Sequence, residues 1–200
     1  QKTGQRKLPV LFDNEITIHN SSSIIRHLEK IQIEPKLIPD NPKEASQAQI
    51  VENWADTTFA KSIKIVFLEE IMKNPLFISS FLSKGISDSM QNLFFHIPLN
   101  IASQVSGLIH QAEKESLQLN LKYLTNLIEK ENFLIGKELS IADISVASQL
   151  SLLCFPNSSG EVLKGKGCSI YINNPSLKNL FKWRDSIENK VTTTTHDESY

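Results

Sequence analysis

Three prolines fall within eight residues, from Pro35 to Pro42, and they limit the folding of this chain more than any other feature. Proline has no backbone N–H and a fixed φ, so such a stretch fits neither a helix interior nor a central strand. The sequence therefore predicts a linker over residues 34–43 between two units of different character. At its end, Asn41 as N-cap, Pro42 at the first helical position and Glu44 at N3 predict that a long helix begins there.

The residues before the linker have β character. An apolar run over residues 8–12 and a β-branched run over residues 16–18 are joined by a polar turn, which predicts a β-hairpin. Residues 20–23 then offer N-cap chemistry ahead of apolar residues at helical spacing, which predicts a helix to about residue 31. Residues 1–33 are therefore interpreted as strand, strand and helix.

After the linker, apolar residues recur at helical spacing through most of the chain. Helices are predicted over residues 42–73, 87–96 and 99–131, from Ser140 to near Pro156, and from Pro175 to about Asn189. A loop rich in serine and glycine is predicted over residues 157–167. The sequence thus predicts a helical unit over residues 44–190, followed by a frayed tail over residues 191–200.

The composition argues against several functional classes. The 200 residues include 21 Lys and Arg and 22 Asp and Glu, so the chain lacks the basic excess of a nucleic-acid binder. Cys154 and Cys168 form no CxxC pair, and the five histidines show no metal-ligand spacing, so no metal site is expected. No apolar run approaches the roughly 20 residues that span a bilayer. No targeting segment is recognised, so the default expectation is a cytoplasmic protein.

Three patterns follow one another in the order that a known family shows. They are Leu8-Pro9-Val10-Leu11 with residues 18–24, then residues 37–42 with Ala45 and Trp54, and then residues 136–144. Together they resemble the glutathione transferase superfamily over about residues 5–189. The resemblance implies a mainly α protein in which the C-terminal part of a thioredoxin-like α/β domain precedes an all-helical bundle domain.

By the resemblance, four residues bind glutathione: Leu8, Pro9, Asn20 and Ser21. The Leu8–Pro9 peptide is then cis, and the Leu8 backbone pairs with the cysteinyl part of glutathione as an added strand would. The alternative is a trans proline that begins an edge strand. Asn20 and Ser21 would hold the γ-glutamyl group at the start of a helix, or simply cap that helix. Asn20 is neutral where the family has Asp or Glu, which removes the charge-assisted part of a bond to an ammonium.

The remaining candidate residues are interpreted structurally. Ser140 and Asp143 form a capping box, with Leu139 and Ile144 as its hydrophobic staple. His27 is predicted to be solvated. The aromatic residues expected in the core are Trp54, Phe59, Phe67 and Trp183, and those considered for an apolar acceptor site, together with a methionine, are Met90, Phe94 and Phe95.

The resemblance also implies that the thiol-activating Tyr, Ser or Cys lies on a strand-helix-strand segment before Gln1, so no catalytic residue is assigned. The leading hypothesis is a glutathione transferase-like enzyme that conjugates or reduces a small hydrophobic electrophile, with glutathione as co-substrate. Homodimerisation is the habit of the family. The alternatives are a non-catalytic binding or assembly module of the same fold, and an unrelated helical bundle with a β-hairpin.

Overall fold

The computed structural model describes residues 9–31, 34–73 and 107–194. The elements in these ranges are β1 Val10–Asp13, β2 Ile16–His19, α1 Ser21–Ile31, α2 Pro42–Trp54, α3 Ala60–Lys73, α4 Gly107–Ile128, α5 Ile141–Leu150, α6 Ser169–Ile172 and α7 Lys178–Thr194. A π-helical segment, Ala55–Phe59, joins α2 to α3, and 3₁₀ turns cover Asn157–Ser159 and Pro175–Leu177. The helix predicted over residues 87–96, and with it Met90, Phe94 and Phe95, lies outside the described residues.

Strands β1 and β2 form the predicted antiparallel hairpin. The register pairs Val10 with His19 and Asp13 with Ile16. Asn14 in the turn has a φ of 51°, a left-handed conformation that asparagine adopts more readily than most residues. None of the described residues 9–31 is buried, so the hairpin and α1 form a thin layer without a core of its own.

The linker is fixed by hydrogen bonds to its main chain. The Glu29 carboxylate on α1 accepts bonds from the Leu37 N–H and, at 2.9 Å, from the Ile38 N–H. The Leu37 carbonyl accepts a bond of 2.9 Å from the N–H of Ile141, the first residue of α5. We call these four residues the linker clamp. They hold the linker between α1 and α5.

The predicted helix over residues 42–73 is present. Asn41 is its N-cap, with its side-chain oxygen accepting a bond of 2.9 Å from the Lys43 N–H, and Pro42 occupies the first turn. The π-helical segment in its middle was not predicted. Trp54 stacks on Phe59 across this segment, with ring centroids 4.7 Å apart.

The predicted capping box begins α5. The Asp143 side chain is fully buried and accepts bonds from the Leu134 N–H at 2.7 Å, the Ser140 N–H at 2.9 Å and the Ser140 hydroxyl at 2.8 Å. Burial raises the pKa of Asp143, although the three donors act in the opposite direction. Leu139 and Ile144 are both partly buried against the core.

Helix α5 ends at Leu150, earlier than the predicted end near Pro156. The chain there pairs with the far end of the following loop: the Phe155 N–H donates to Lys166 at 2.7 Å, and the Cys168 N–H donates to Leu153 at 2.9 Å. A Cβ at Gly167 would lie 2.3 Å from the Leu153 carbonyl oxygen, so this approach requires glycine. The loop thus supplies backbone partners that compete with continuation of the helix.

Helix α7 follows the predicted Asn-Pro signal. The Asn174 side chain accepts a bond of 3.0 Å from the Ser176 N–H, and Pro175 begins the 3₁₀ turn that leads into the helix. The helix extends to Thr194, beyond the predicted end near Asn189.

The hydrophobic core of the described residues lies in the helical part, where the buried apolar side chains run from Ala48 to Ile187. Phe59, Phe67 and Trp183 belong to it, as predicted, and Trp54 packs against it. The largest of the fully buried side chains in the described residues is Arg184, whose Nε donates to Asp185 at 2.8 Å and whose Nη1 donates to the Cys154 carbonyl. These two acceptors offset part of the cost of burying the guanidinium in the core.

Candidate functional site at the start of helix α1

The predicted site residues lie at one end of the hairpin. Val10 begins β1 and pairs with His19, which ends β2. Pro9 precedes Val10 and Asn20 follows His19, so the register brings both to the point where α1 begins at Ser21. Leu8, and with it the Leu8–Pro9 peptide bond, lies outside the described residues. The fold therefore places Pro9, Asn20 and Ser21 at a common end of the sheet.

Asn20 is the N-cap of α1. Its carbonyl accepts a bond of 3.1 Å from the Ile24 N–H, and its side-chain oxygen accepts a bond of 2.8 Å from the Ser23 N–H. Its φ of 62° is in the left-handed region, where asparagine is enriched. The side-chain oxygen that would face a bound ammonium is thus already part of the helix cap.

A buried carboxylate from the helical part faces the start of α1. The Ser22 hydroxyl donates a hydrogen bond to Glu52 on α2, and Glu52 is only 4% exposed. The N-terminus of a helix carries partial positive charge, so a carboxylate is stabilised there. Glu52 therefore joins the N-terminal unit to the helical part and brings a negative charge to within two residues of Asn20.

Asp56, about one helical turn after Glu52, adds to this negative charge. Partial burial raises the pKa of Asp56, and the neighbouring Glu52 raises it further, while Gln149 and Lys64 act in the opposite direction. The two carboxyl groups make the region at the start of α1 unfavourable for a further anion.

Two histidines near the site have contrasting surroundings. His27 was predicted to be solvated, but its Nε2 lies 2.6 Å from the Asp13 carboxylate, and its side chain is 20% exposed. The Nδ1 atom of His19 is buried without a hydrogen-bond partner in the structure of residues 9–31, 34–73 and 107–194. Neither residue belongs to a cluster of potential metal ligands. Within the described part of the chain, no group of three or more His, Cys, Asp or Glu side chains could hold a metal ion.

The cysteines are poor candidates for a nucleophile. Burial, with smaller contributions from Glu70 and Glu69, raises the pKa of Cys168 to about 12. Since the thiolate is the reactive form, Cys168 is inert at neutral pH. Cys154 is a free thiol, partly buried against the core.

Among the helices that the structure describes, none is long and apolar enough to cross a membrane.

Glu52 is the residue of this site that the sequence analysis missed. It occupies a helical stripe whose other members, Ala48, Ala55 and Phe59, are completely buried. A charged residue on an apolar stripe was the available signal, because a buried charge needs a partner. The partner itself could not be identified, since Ser22 precedes Glu52 by 30 residues.

Comparison with curated proteins finds one clear relative. FtsZ-localized protein A of Caulobacter vibrioides is 26% identical to this chain over an alignment of 149 residues, with 72% of this chain and 55% of that protein covered. The chain thus spans about half the length of its curated relative. No protein-family model matches the chain.

The solved structures that are similar to the chain include the following three. A glutathione S-transferase from Rhodospirillum rubrum F11 has a TM-score of 0.55 at 18% identity, with 94% of this chain and 66% of that one covered. FzlA from Caulobacter crescentus has a TM-score of 0.52 at 20% identity, with coverage of 92% and 65%. The β-etherase LigF from Sphingobium sp. strain SYK-6 has a TM-score of 0.52 at 16% identity, with coverage of 88% and 78%.

Proposed function

We propose that this chain, which has a glutathione transferase-like fold of mainly α class, acts as a non-catalytic binding or assembly module. The observation that carries the proposal is the charge and hydrogen bonding of the Asn20 side chain. Its side chain is neutral, and its oxygen already accepts the Ser23 N–H at 2.8 Å. A γ-glutamyl ammonium would therefore meet no carboxylate at this position, and charge-assisted hydrogen bonds are roughly twice as strong as neutral ones.

The partner that we propose is a polymer of the FtsZ type. FtsZ-localized protein A is named for its position on FtsZ, and its similarity to this chain extends over 149 residues at 26% identity. Binding of a protein filament needs no activated thiol, so it does not depend on a catalytic residue before Gln1. A cytoplasmic location belongs to the same proposal.

Glutathione chemistry is the second candidate, and Glu52 is the observation that favours it. This buried carboxylate lies at the start of α1, bonded to Ser22, where it could supply the negative charge that Asn20 lacks. The chain would then hold glutathione through Pro9, Ser21 and Glu52, with a small hydrophobic electrophile as second substrate. In this case a residue that activates the thiol would complete the active site. The enzyme would be a homodimer, as is common in this superfamily.

Two binding assays on the purified protein separate the candidates. We expect co-sedimentation with FtsZ filaments, no retention on immobilised glutathione and no conjugation of a chlorodinitrobenzene. Retention on glutathione together with loss of that retention in Glu52→Gln would replace the main proposal with the second candidate. Failure in both assays would contradict both.

An Asn20→Asp variant tests the role assigned to Asn20. It restores a carboxylate at the cap of α1, so we expect measurable glutathione binding by calorimetry where the parent has none. The matched control is Asn41→Asp, which makes the same change at the N-cap of α2 and should leave glutathione binding absent.

A further inference from the structure

A cavity of about 630 Å³ lies at the end of the molecule where α4 stops and α7 passes beside it. Its volume falls in the range of small-molecule sites. One wall is a face of α7 that includes Lys182, Ser186 and Lys190, and the other is the end of α4 with the loop that follows it. All the residues that line it belong to the described chain, and none belongs to α1 or to the hairpin.

The apolar part of the cavity is a pair of aromatic residues held in place by the fold. Trp183 is 7% exposed, and its indole N–H donates to the Asn132 carbonyl at 2.9 Å. Phe133 lies beside it, and the Lys190 ammonium is 5.5 Å from the centroid of the Phe133 ring. Because the indole is fixed by its hydrogen bond, the small part of it that remains exposed is preformed for contact with a bound group.

The two walls carry opposite charges. Glu129 and Glu131 lie on the wall formed by the end of α4, and the negative end of the α4 dipole points to the same side. Lys182 and Lys190 lie on the α7 wall. An ammonium is therefore attracted to one wall and a carboxylate to the other, while a ligand with a single charge meets repulsion from one of them.

We propose that this cavity binds a small zwitterion with an aromatic side chain, the chemistry of a free aromatic amino acid. The amine faces Glu129 and Glu131, the carboxylate faces Lys182, and the ring lies against Trp183. The proposal is independent of the function proposed for the α1 site, because the two regions share no residue.

The test uses L-phenylalanine as the probe and the two tryptophan indole N–H signals of the ¹⁵N-labelled chain as the readout. We expect the Trp183 signal to shift and the Trp54 signal to stay, with a dissociation constant on the order of 1 mM for a ligand of this size. A Trp54→Phe spectrum assigns the two signals. Absence of a Trp183 shift at about ten times that concentration overturns the proposal.

Capped probes and charge variants test the two-wall arrangement. N-acetyl-L-phenylalanine lacks the ammonium and L-phenylalanine amide lacks the carboxylate, so each should bind about fivefold more weakly, the effect of one exposed charge pair. Lys182→Ala and Glu131→Gln should weaken the binding of L-phenylalanine by a similar factor. The matched control is Lys178→Ala, an exposed lysine of α7 outside the cavity, which should change nothing. Equal binding of all three probes overturns the proposal, because the walls would then not select charge.

Discussion

Asp143 shows at the scale of one residue how burial and hydrogen bonding oppose each other. Its carboxylate receives three donors, two of them from Ser140, yet burial has the larger effect and raises its pKa. The capping box therefore has a pH dependence that its sequence pattern does not indicate. The pattern identifies the donors, whereas the depth of burial depends on the packing of the whole helical part.

An Asp143→Asn variant should lose this pH dependence. Because the pKa is raised on folding, the folded chain holds the proton more readily, and the contribution of Asp143 to stability falls as pH rises above the ordinary carboxyl value of about 3.9. Lowering the pH from about 7 to about 4 should therefore stabilise the parent relative to the variant, as measured by the difference in their unfolding free energies. Urea denaturation at each pH measures it.

Ser148→Ala is the control for this series, because Ser148 is exposed on the same helix and does not titrate. Its effect on stability should be the same at every pH. If acidification instead favours the Asp143→Asn variant over the parent, the three donors outweigh burial, and the direction given for the pKa is wrong.

The π-helical segment is the main feature at the scale of elements. It lies between α2 and α3, with Ala55 and Phe59 completely buried and Thr57 on the exposed side. A π-bulge usually accommodates one extra residue in a helix without changing the register on either side. The structure thus indicates that one residue of this segment is surplus to the helical repeat.

Deletion of Thr57 should therefore be tolerated. The helix can close into a regular α-helix while α3 keeps its buried face, so we expect a change in unfolding free energy of less than about 1 kcal/mol. Deletion of Lys64, an exposed residue of α3, is the matched control. It rotates Ile65, Val66 and Phe67 out of the core and should cost several kcal/mol, on the order of the largest single-site effects. If the two deletions lower the unfolding free energy equally, no residue of the π-helical segment is surplus to the helical repeat.

The sequence predicted elements where local signals were sufficient. The hairpin, the starts of α2 and α5 and the Asn-Pro signal before α7 each depend on residues within one turn, and the structure confirms them. The end of α5 and the π-helical segment depend on partners elsewhere in the fold, so the local pattern did not indicate them. At the candidate site, Leu8, Pro9, Asn20 and Ser21 were proposed from the family resemblance and stay predictions, whereas Glu52 became apparent only from its contact with Ser22 on α1.

At the scale of the whole molecule, the buried residues of the described chain are distributed unevenly. The helical part contains all of the buried apolar residues that the structure describes, and residues 9–31 contain none. The two parts are joined by the Ser22–Glu52 hydrogen bond, by the linker clamp and by the partly buried Ile25. The helical part should therefore fold without the N-terminal unit.

Removal of residues 1–33 tests this expectation. The remaining chain should keep its helical circular dichroism and unfold in one cooperative thermal transition, with a loss of about 2 to 4 kcal/mol for the missing contacts. A second truncation that ends before α7 is the control, because it removes Leu180, Phe181 and Ile187 from the core and should not fold. An unfolded product from the first truncation would contradict the division into two parts.

The linker clamp also affects how freely the linker sequence can vary. The hydrogen bonds of Glu29 and Ile141 go to main-chain N–H and C=O groups of Leu37 and Ile38, which every residue except proline can supply. The hydrogen bonds of the linker clamp therefore depend on the peptide groups at these positions, while the side chains of Leu37 and Ile38 pack against the core. Among the folded variants of a library randomised at Leu37 and Ile38, we accordingly expect many apolar replacements and no proline. A library randomised at Glu29 should yield few folded variants.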